Sequence, residues 1–150
     1  MAGIFNIITK FFGNKYDKDV KEIEPIVNEI HKEYEKISIL SNNELREQTT
    51  ILKNQIIDYT SIEKKEISSL KEEANKDSTS VEDTEKIYEK IDSLEKEVIN
   101  KIEDVLNIIL PTAFAVMKET AKRFQENTTI TVKATEFDKD IASKKDFVTI

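Results

Sequence analysis

The stretch Ile87-Tyr-Glu-Lys-Ile91-Asp-Ser-Leu94-Glu-Lys-Glu-Val98-Ile-Asn-Lys-Ile102-Glu-Asp-Val105-Leu-Asn-Ile-Ile109 decides the fold. Its apolar residues recur at three and four positions, which places them along one face of a helix. So narrow a stripe needs a partner to bury it, and the sequence just upstream supplies one. Asn75-Lys-Asp-Ser-Thr-Ser80 is a polar cluster that favours a turn, because its side chains compete for backbone hydrogen bonds. Ahead of it Ile62, Ile67, Leu70 and Ala74 extend a second stripe that begins with Leu45, Leu52, Ile56 and Tyr59. The two helices predict an antiparallel hairpin over residues 56–109.

Further towards the amino terminus, Ser41-Asn-Asn-Glu44 has the form of a capping box, so a helix is expected to begin at Asn42, with a possible break between Asp58 and Ser61. Another helix begins near Asp17 and carries Val20, Ile23, Val27, Ile30, Tyr34 and Ile37 on one stripe. Pro25 predicts a kink in it, or a start nearer Glu24. Ile4, Phe5, Ile7, Ile8, Phe11 and Phe12 form one face of a short amphipathic helix that Gly13 ends. On the carboxyl side, Pro111 is expected to end or kink the hairpin helix, or to sit in the first turn of a new one through Phe114, Val116, Met117, Ala121 and Phe124. Thr128 to Thr135 alternates polar and apolar residues and is β-branched, predicting a strand, with Phe147-Val-Thr-Ile150 as a second. Between them, Glu136 to Asp146 is a charged connection, and Ile150 falls in mid-strand, as expected of a piece of a longer protein. The expected class is mainly α, built of antiparallel helices with a small β element near the carboxyl terminus.

Composition narrows the chemistry. Charged residues make up 35% of the chain, hydrophobic ones 38%, and Gly and Pro occur twice each, as in long solvated helices. A net charge of -7 without a basic cluster argues against nucleic acid as a partner. With no Cys there are no disulfides, thiolate metal sites or cysteine nucleophiles. Asn127-Thr128-Thr129 matches a glycosylation sequon by chance in a Thr-rich stretch. No apolar run reaches the roughly 20 residues that span a bilayer, and Met1 to Phe12 lacks the basic start and cleavage site of a secretory signal. The expectation is a soluble protein that at most touches a membrane.

After Gly13, the last glycine, neither a GxxxxGK(S/T) phosphate loop nor a GxGxxG fingerprint can exist in this sequence. His31 is the single histidine, set beside Lys32 and Glu33 on a charged helix, and reads as a surface residue. The 30 carboxylates are interspersed with lysine at helical spacing and read as a solvated face. No catalytic, cofactor-binding or metal residue is therefore expected. The candidate site is the amphipathic start: Ile4, Phe5, Ile7, Ile8, Lys10, Phe11 and Phe12 suit a membrane headgroup boundary or a groove in a membrane partner. Packing on the second helix or on a neighbouring copy is the plainer alternative. The hairpin can be a recognition surface or a spacer.

Leu110-Pro-Thr-Ala-Phe-Ala-Val-Met-Lys-Glu-Thr-Ala-Lys-Arg123 resembles the "LPEAFAVVREAAKR" segment of the SecA family of protein-export motors. Ile37 to Thr49 is similar to that family's "LSDEELRAKT", and the apolar start followed by Phe12-Gly13 to its "FG…ND" opening. The resemblance implies an amino-terminal portion of an ATP-driven translocase, the start of an α/β motor domain ending before the Walker A loop. It divides the chain into an N-terminal helix (1–14), a helical segment of the first nucleotide-binding domain (15–55), the hairpin (56–109), a helix next to the nucleotide site (110–127) and an incomplete β extension (128–150). Thr50 to Ile109 holds sixty residues, more than the family usually has there, so the hairpin is expected to be an insertion. ATP and Mg are implied for the parent and none for this portion. The implied partners are the Sec translocon channel, unfolded preproteins and anionic lipids, at the inner face of the bacterial cytoplasmic membrane, with self-association through helices open. The rival expectation is a free-standing coiled-coil adaptor.

Overall fold

The structure is a computed structural model that describes residues 15–146. These residues form five helices: α1 (Lys15–Ile37), α2 (Asn42–Tyr59), α3 (Ser61–Ala74), α4 (Val81–Glu126) and α5 (Glu136–Lys144). At 1.5 Å per residue, the 46 residues of α4 extend about 69 Å, and the other helices are arranged along it. Local chemistry sets the ends. Ser41 and Glu44 close the expected capping box on α2, the Ser41 hydroxyl accepting from the Glu44 amide and the Glu44 carboxylate from the Ser41 amide. Ser80 caps α4 by accepting from the Asp83 amide.

α2 and α3 run antiparallel to α4. Leu45 clusters with Val116, Glu63 pairs with Lys101 and Lys71 with Glu95, so the chain climbs one side while α4 descends the other. The break between α2 and α3 falls at Thr60, inside the expected interval. Its backbone leaves helical geometry at φ -107°, ψ 4°, and its fully buried hydroxyl donates to the Ile56 carbonyl. α1 instead runs parallel to α4: Glu33 accepts from Thr112, Tyr34 donates to Glu119, and the Ser38 and Leu40 carbonyls accept from Arg123.

Two apolar clusters result. Ile67, Ile91 and Val98 form one within the hairpin, with Leu70, Ile87, Leu94 and Ile102 packed on it. Ile37, Leu45, Ala115 and Val116 form the other at the base, where α1, α2 and α4 meet. Burying side chains of this kind contributes roughly 1.5–3 kcal/mol each, so both ends of α4 have a hydrophobic anchor.

Three expectations need correction. Pro111 neither ends α4 nor begins a new helix; it lies inside one continuous element, as Pro25 does in α1. A proline costs one hydrogen bond to the preceding turn, and packing on both sides of residue 111 holds the helix regardless. Thr128 to Thr135 is not a strand. A strand needs a ladder partner, and no strand occurs among the described residues. The segment is held instead by α2 side chains: Asn43 Oδ1 accepts from the Lys133 amide at 2.7 Å, while Asn42 and Arg46 donate to the carbonyls of Thr131 and Lys133. The connection after it contains α5 rather than a loop, capped by a reciprocal pair between Thr135 and Asp138. The second candidate strand, Phe147 to Ile150, and the amphipathic start lie outside the described residues.

Candidate functional site: a charged clasp and a groove beside residues 110–123

The stretch Leu110 to Arg123 forms the carboxyl-terminal third of α4. Ala115, Val116 and Glu119 face inward at 0%, 9% and 4% exposure, and Arg123 follows one turn later on the same side. The helical repeat therefore delivers a carboxylate and a guanidinium to the place where α1 hands over to α2.

There they form a clasp. Arg123 Nε donates to Glu119 Oε1 at 2.7 Å, one terminal nitrogen to Asn42 Oδ1 at 2.7 Å, and the other to the Leu40 carbonyl at 2.6 Å. The Leu40 and Ser38 carbonyls belong to the turn that ends α1, so one guanidinium satisfies a helix end while fixing the entry to α2. The Tyr34 hydroxyl donates to Glu119 Oε2 at 2.9 Å, and Lys118 stands 4.3 Å from the centre of the Tyr34 ring. Burial pushes the Glu119 carboxyl up, but hydrogen bonds from Arg123 and Tyr34 outweigh it and hold the group below the usual range. The same hydrogen bond raises the Tyr34 phenol, with burial adding to it. Both groups are thereby held as donor and acceptor at neutral pH.

Beside the clasp lies a groove of about 950 Å³ between α2, the end of α4 and residues 130–137. Leu45, Val116, Val132, Phe124 and Phe137 give it an apolar lining, and Lys53 stands on it as a cation. Its outer wall is fastened by one Arg46 nitrogen that donates to both Asp138 oxygens, at 2.8 and 2.9 Å. That guanidinium and the Thr135 cap hold Asp138 far below the ordinary carboxylate range. The arrangement can position helices and present a recess. Among the described residues no group of three His, Cys, Asp or Glu could hold a metal ion, and no helix is long and apolar enough to cross a membrane. His31 is exposed on α1.

The predicted docking residues, Ile4, Phe5, Ile7, Ile8, Lys10, Phe11 and Phe12, lie outside the described residues. The clasp and the Arg46–Asp138 tie were not foreseen from sequence. The signals existed: Glu119 and Arg123 are in phase with Ala115 and Val116, and Thr135-x-x-Asp138 has a capping form.

Fold and site together define a helical scaffold, clasped by buried charge beside an open groove. The model of the SecA DEAD-like domain family matches residues 8–141, and the chain belongs to the SecA family. It is 45% identical over 148 residues to the protein translocase subunit SecA of Porphyromonas gingivalis ATCC 33277, covering 99% of this chain and 13% of that protein. It is 47% identical over 149 residues to the SecA of Phocaeicola vulgatus and 41% over 150 to that of Flavobacterium psychrophilum, covering 99% and 100% of this chain and 13% of each relative. The chain thus spans about an eighth of the length of these relatives. Matches over nearly the whole chain take in residues 56–109 as well, and the likeness is not the coincidence that the adaptor reading requires. No solved structure matches the chain.

Proposed function

We propose that this chain is the amino-terminal portion of a SecA-type translocase subunit whose full-length form couples ATP hydrolysis, with Mg, to export of unfolded preproteins through the Sec channel. The observation that carries the reading is identity of 45% across 99% of the chain to a protein named as that subunit. Within the parent, residues 110–127 serve as scaffold beside the nucleotide site, and the clasp of Glu119, Arg123 and Tyr34 supports that role by fixing three helices to one another. Residues 56–109 form a hairpin projecting from that scaffold, and residues 128–150 begin a further extension. Ile4 to Phe12 docks on anionic lipid or on the translocon, which places the protein peripherally at the inner face of the cytoplasmic membrane.

The test is to follow the gene past the codon for Ile150 and assay the complete product. A loop ending Gly-Lys-Thr is expected downstream, and ATPase activity that rises with anionic membrane and unfolded preprotein. A stop codon shortly after Ile150, or a complete product without ATPase activity, would sink the proposal. For docking, Phe5→Glu with Phe11→Glu should abolish sedimentation with anionic vesicles, and equal sedimentation of both forms counts against it.

A further inference from the structure

Four of the helices are preceded by Ser or Thr with an acidic residue three positions on: Ser41 with Glu44, Thr60 with Glu63, Ser80 with Asp83 and Thr135 with Asp138. Three of these hydroxyls act as caps. Ser41, Ser80 and Thr135 hold extended backbone, with ψ of 166°, 158° and 170°, and each hydroxyl accepts from the amide of its acidic residue. Thr60 does not. Its ψ is 4°, its hydroxyl donates back to the Ile56 carbonyl at 3.0 Å, and it makes no side-chain cap bond to α3.

Glu63, the residue that would complete a capping box with Thr60, is turned the other way. Its Oε1 accepts from Lys101 on α4, while Oε2 is buried without a hydrogen-bond partner among the described residues. A carboxylate so placed is costly: Glu63 is 7% exposed, one of its two oxygens is unused, and α3 goes without its N-cap. What results is closure of the hairpin. α3 lies on α4 through Ile67 and Leu70 and through three ion pairs, Glu63–Lys101, Glu66–Lys90 and Lys71–Glu95. The last two are exposed on both sides and contribute little, so the Lys101 bond is the polar tie that counts.

The two uses of Glu63 exclude one another. With ψ at 4°, Thr60 keeps α3 running on from α2 along α4, and its carbonyl still accepts from the Lys64 amide. The extended ψ that a closed box requires would redirect α3 at its first residue, away from that path.

We propose that Glu63 is a release point in the hairpin: its carboxylate either pairs with Lys101 and holds α3 on α4, or turns back to cap α3 with Thr60 and lets α3 come away while the base stays folded. The box keeps the first turn of the freed α3 helical. The base cluster of Ile37, Leu45, Ala115 and Val116 shares no residue with the hairpin cluster, so the opening is local.

Because the chain has no cysteine, single introduced thiols report the opening. Val98→Cys lies in the hairpin cluster and Ala115→Cys in the base, and the rate of maleimide labelling at each measures how often its site opens. In the full chain carrying Val98→Cys, Glu63→Gln keeps a side chain able to close the box but loses the ion pair, and should label about tenfold faster. Glu63→Leu can do neither and puts apolar surface in the seam, so it should label about threefold slower than native Glu63. Labelling at Ala115→Cys should be the same with Glu, Gln or Leu at position 63. No acceleration with Glu63→Gln, faster labelling of Glu63→Leu than of native Glu63, or a base that opens in step with the hairpin would each overturn the release. Hydrogen exchange of the chains without an added thiol should give the same order across residues 64–74, and a different order counts against the proposal equally. The exchange of partners is read directly in a crystal structure of Lys101→Met, which should show Thr60 extended and the Glu63 carboxylate on the Thr60 amide. Glu63 left in the seam with the box open would show that it has no second position.

Discussion

Arg123 concentrates more of this structure in one side chain than any other described residue. It neutralises the buried Glu119 and receives the ends of α1 and the start of α2 on its remaining donors. Replacing the pair by apolar groups could be neutral, but removing the cation alone strands a buried charge. Arg123→Met is therefore expected to lower stability by about 3 kcal/mol, read as a fall in the urea midpoint. A loss within experimental error would show that the clasp does not hold the base. Acid should act through the same kind of group. Glu44, Glu63, Glu119 and Asp138 all have folded-state values below their unfolded ones, through Ser41, Lys101, the Arg123 and Tyr34 bonds against burial, and Arg46 respectively. Their contribution is complete above the ordinary carboxylate value of about 4.3 and drains as pH falls through the lowered ones. The urea midpoint should be flat from pH 7 to about 5 and decline below about 4, with a shallower decline in Asp138→Asn. Among these contacts only the Ser41–Glu44 cap was legible in the sequence, because its partners are three residues apart. Arg123 meets Leu40 across 83 residues, a pairing that one sequence without relatives does not reveal.

The helices themselves were more legible than their ends. A three-and-four apolar spacing and the polar turn at residues 75–80 located the hairpin, since burial of a stripe is the dominant local demand. The helix end expected at Pro111 and the strand expected at Thr128 to Thr135 failed for one reason: local propensity was overridden by what lies alongside. Around Pro111 the packing of α1 and α2 offsets a lost hydrogen bond. Beyond α4, the β-branched segment finds no partner strand among the described residues; its Thr131 and Lys133 carbonyls accept from Asn42 and Arg46, and its Lys133 amide donates to Asn43. The separation of the two apolar clusters makes a prediction about the hairpin as a unit. Glu63 faces Lys101, so the chain can be closed just below that pair. Replacing Ile62 to Glu103 by a short glycine-containing turn should leave the base cooperatively folded, with a single thermal transition by circular dichroism. Loss of any cooperative transition would show that the base depends on the hairpin. Within the hairpin, Ile91→Ala should cost about 3 kcal/mol, because Ile91 is 2% exposed at the centre of its cluster.

As a whole molecule the chain is a long element with its partners laid along it. Since α4 alone extends about 69 Å, small-angle scattering should give a maximum dimension of at least about 70 Å. A value of about 40 Å, close to that of a sphere-like domain of this length, would contradict a continuous α4. Continuity has a mechanical consequence as well. Val116, in the base, and Val81, at the far end of the hairpin, are joined by about 52 Å of unbroken helix. Any rigid tilt of this element by about 10° about the base would carry its far tip, with the helix packed on it, through roughly 9 Å.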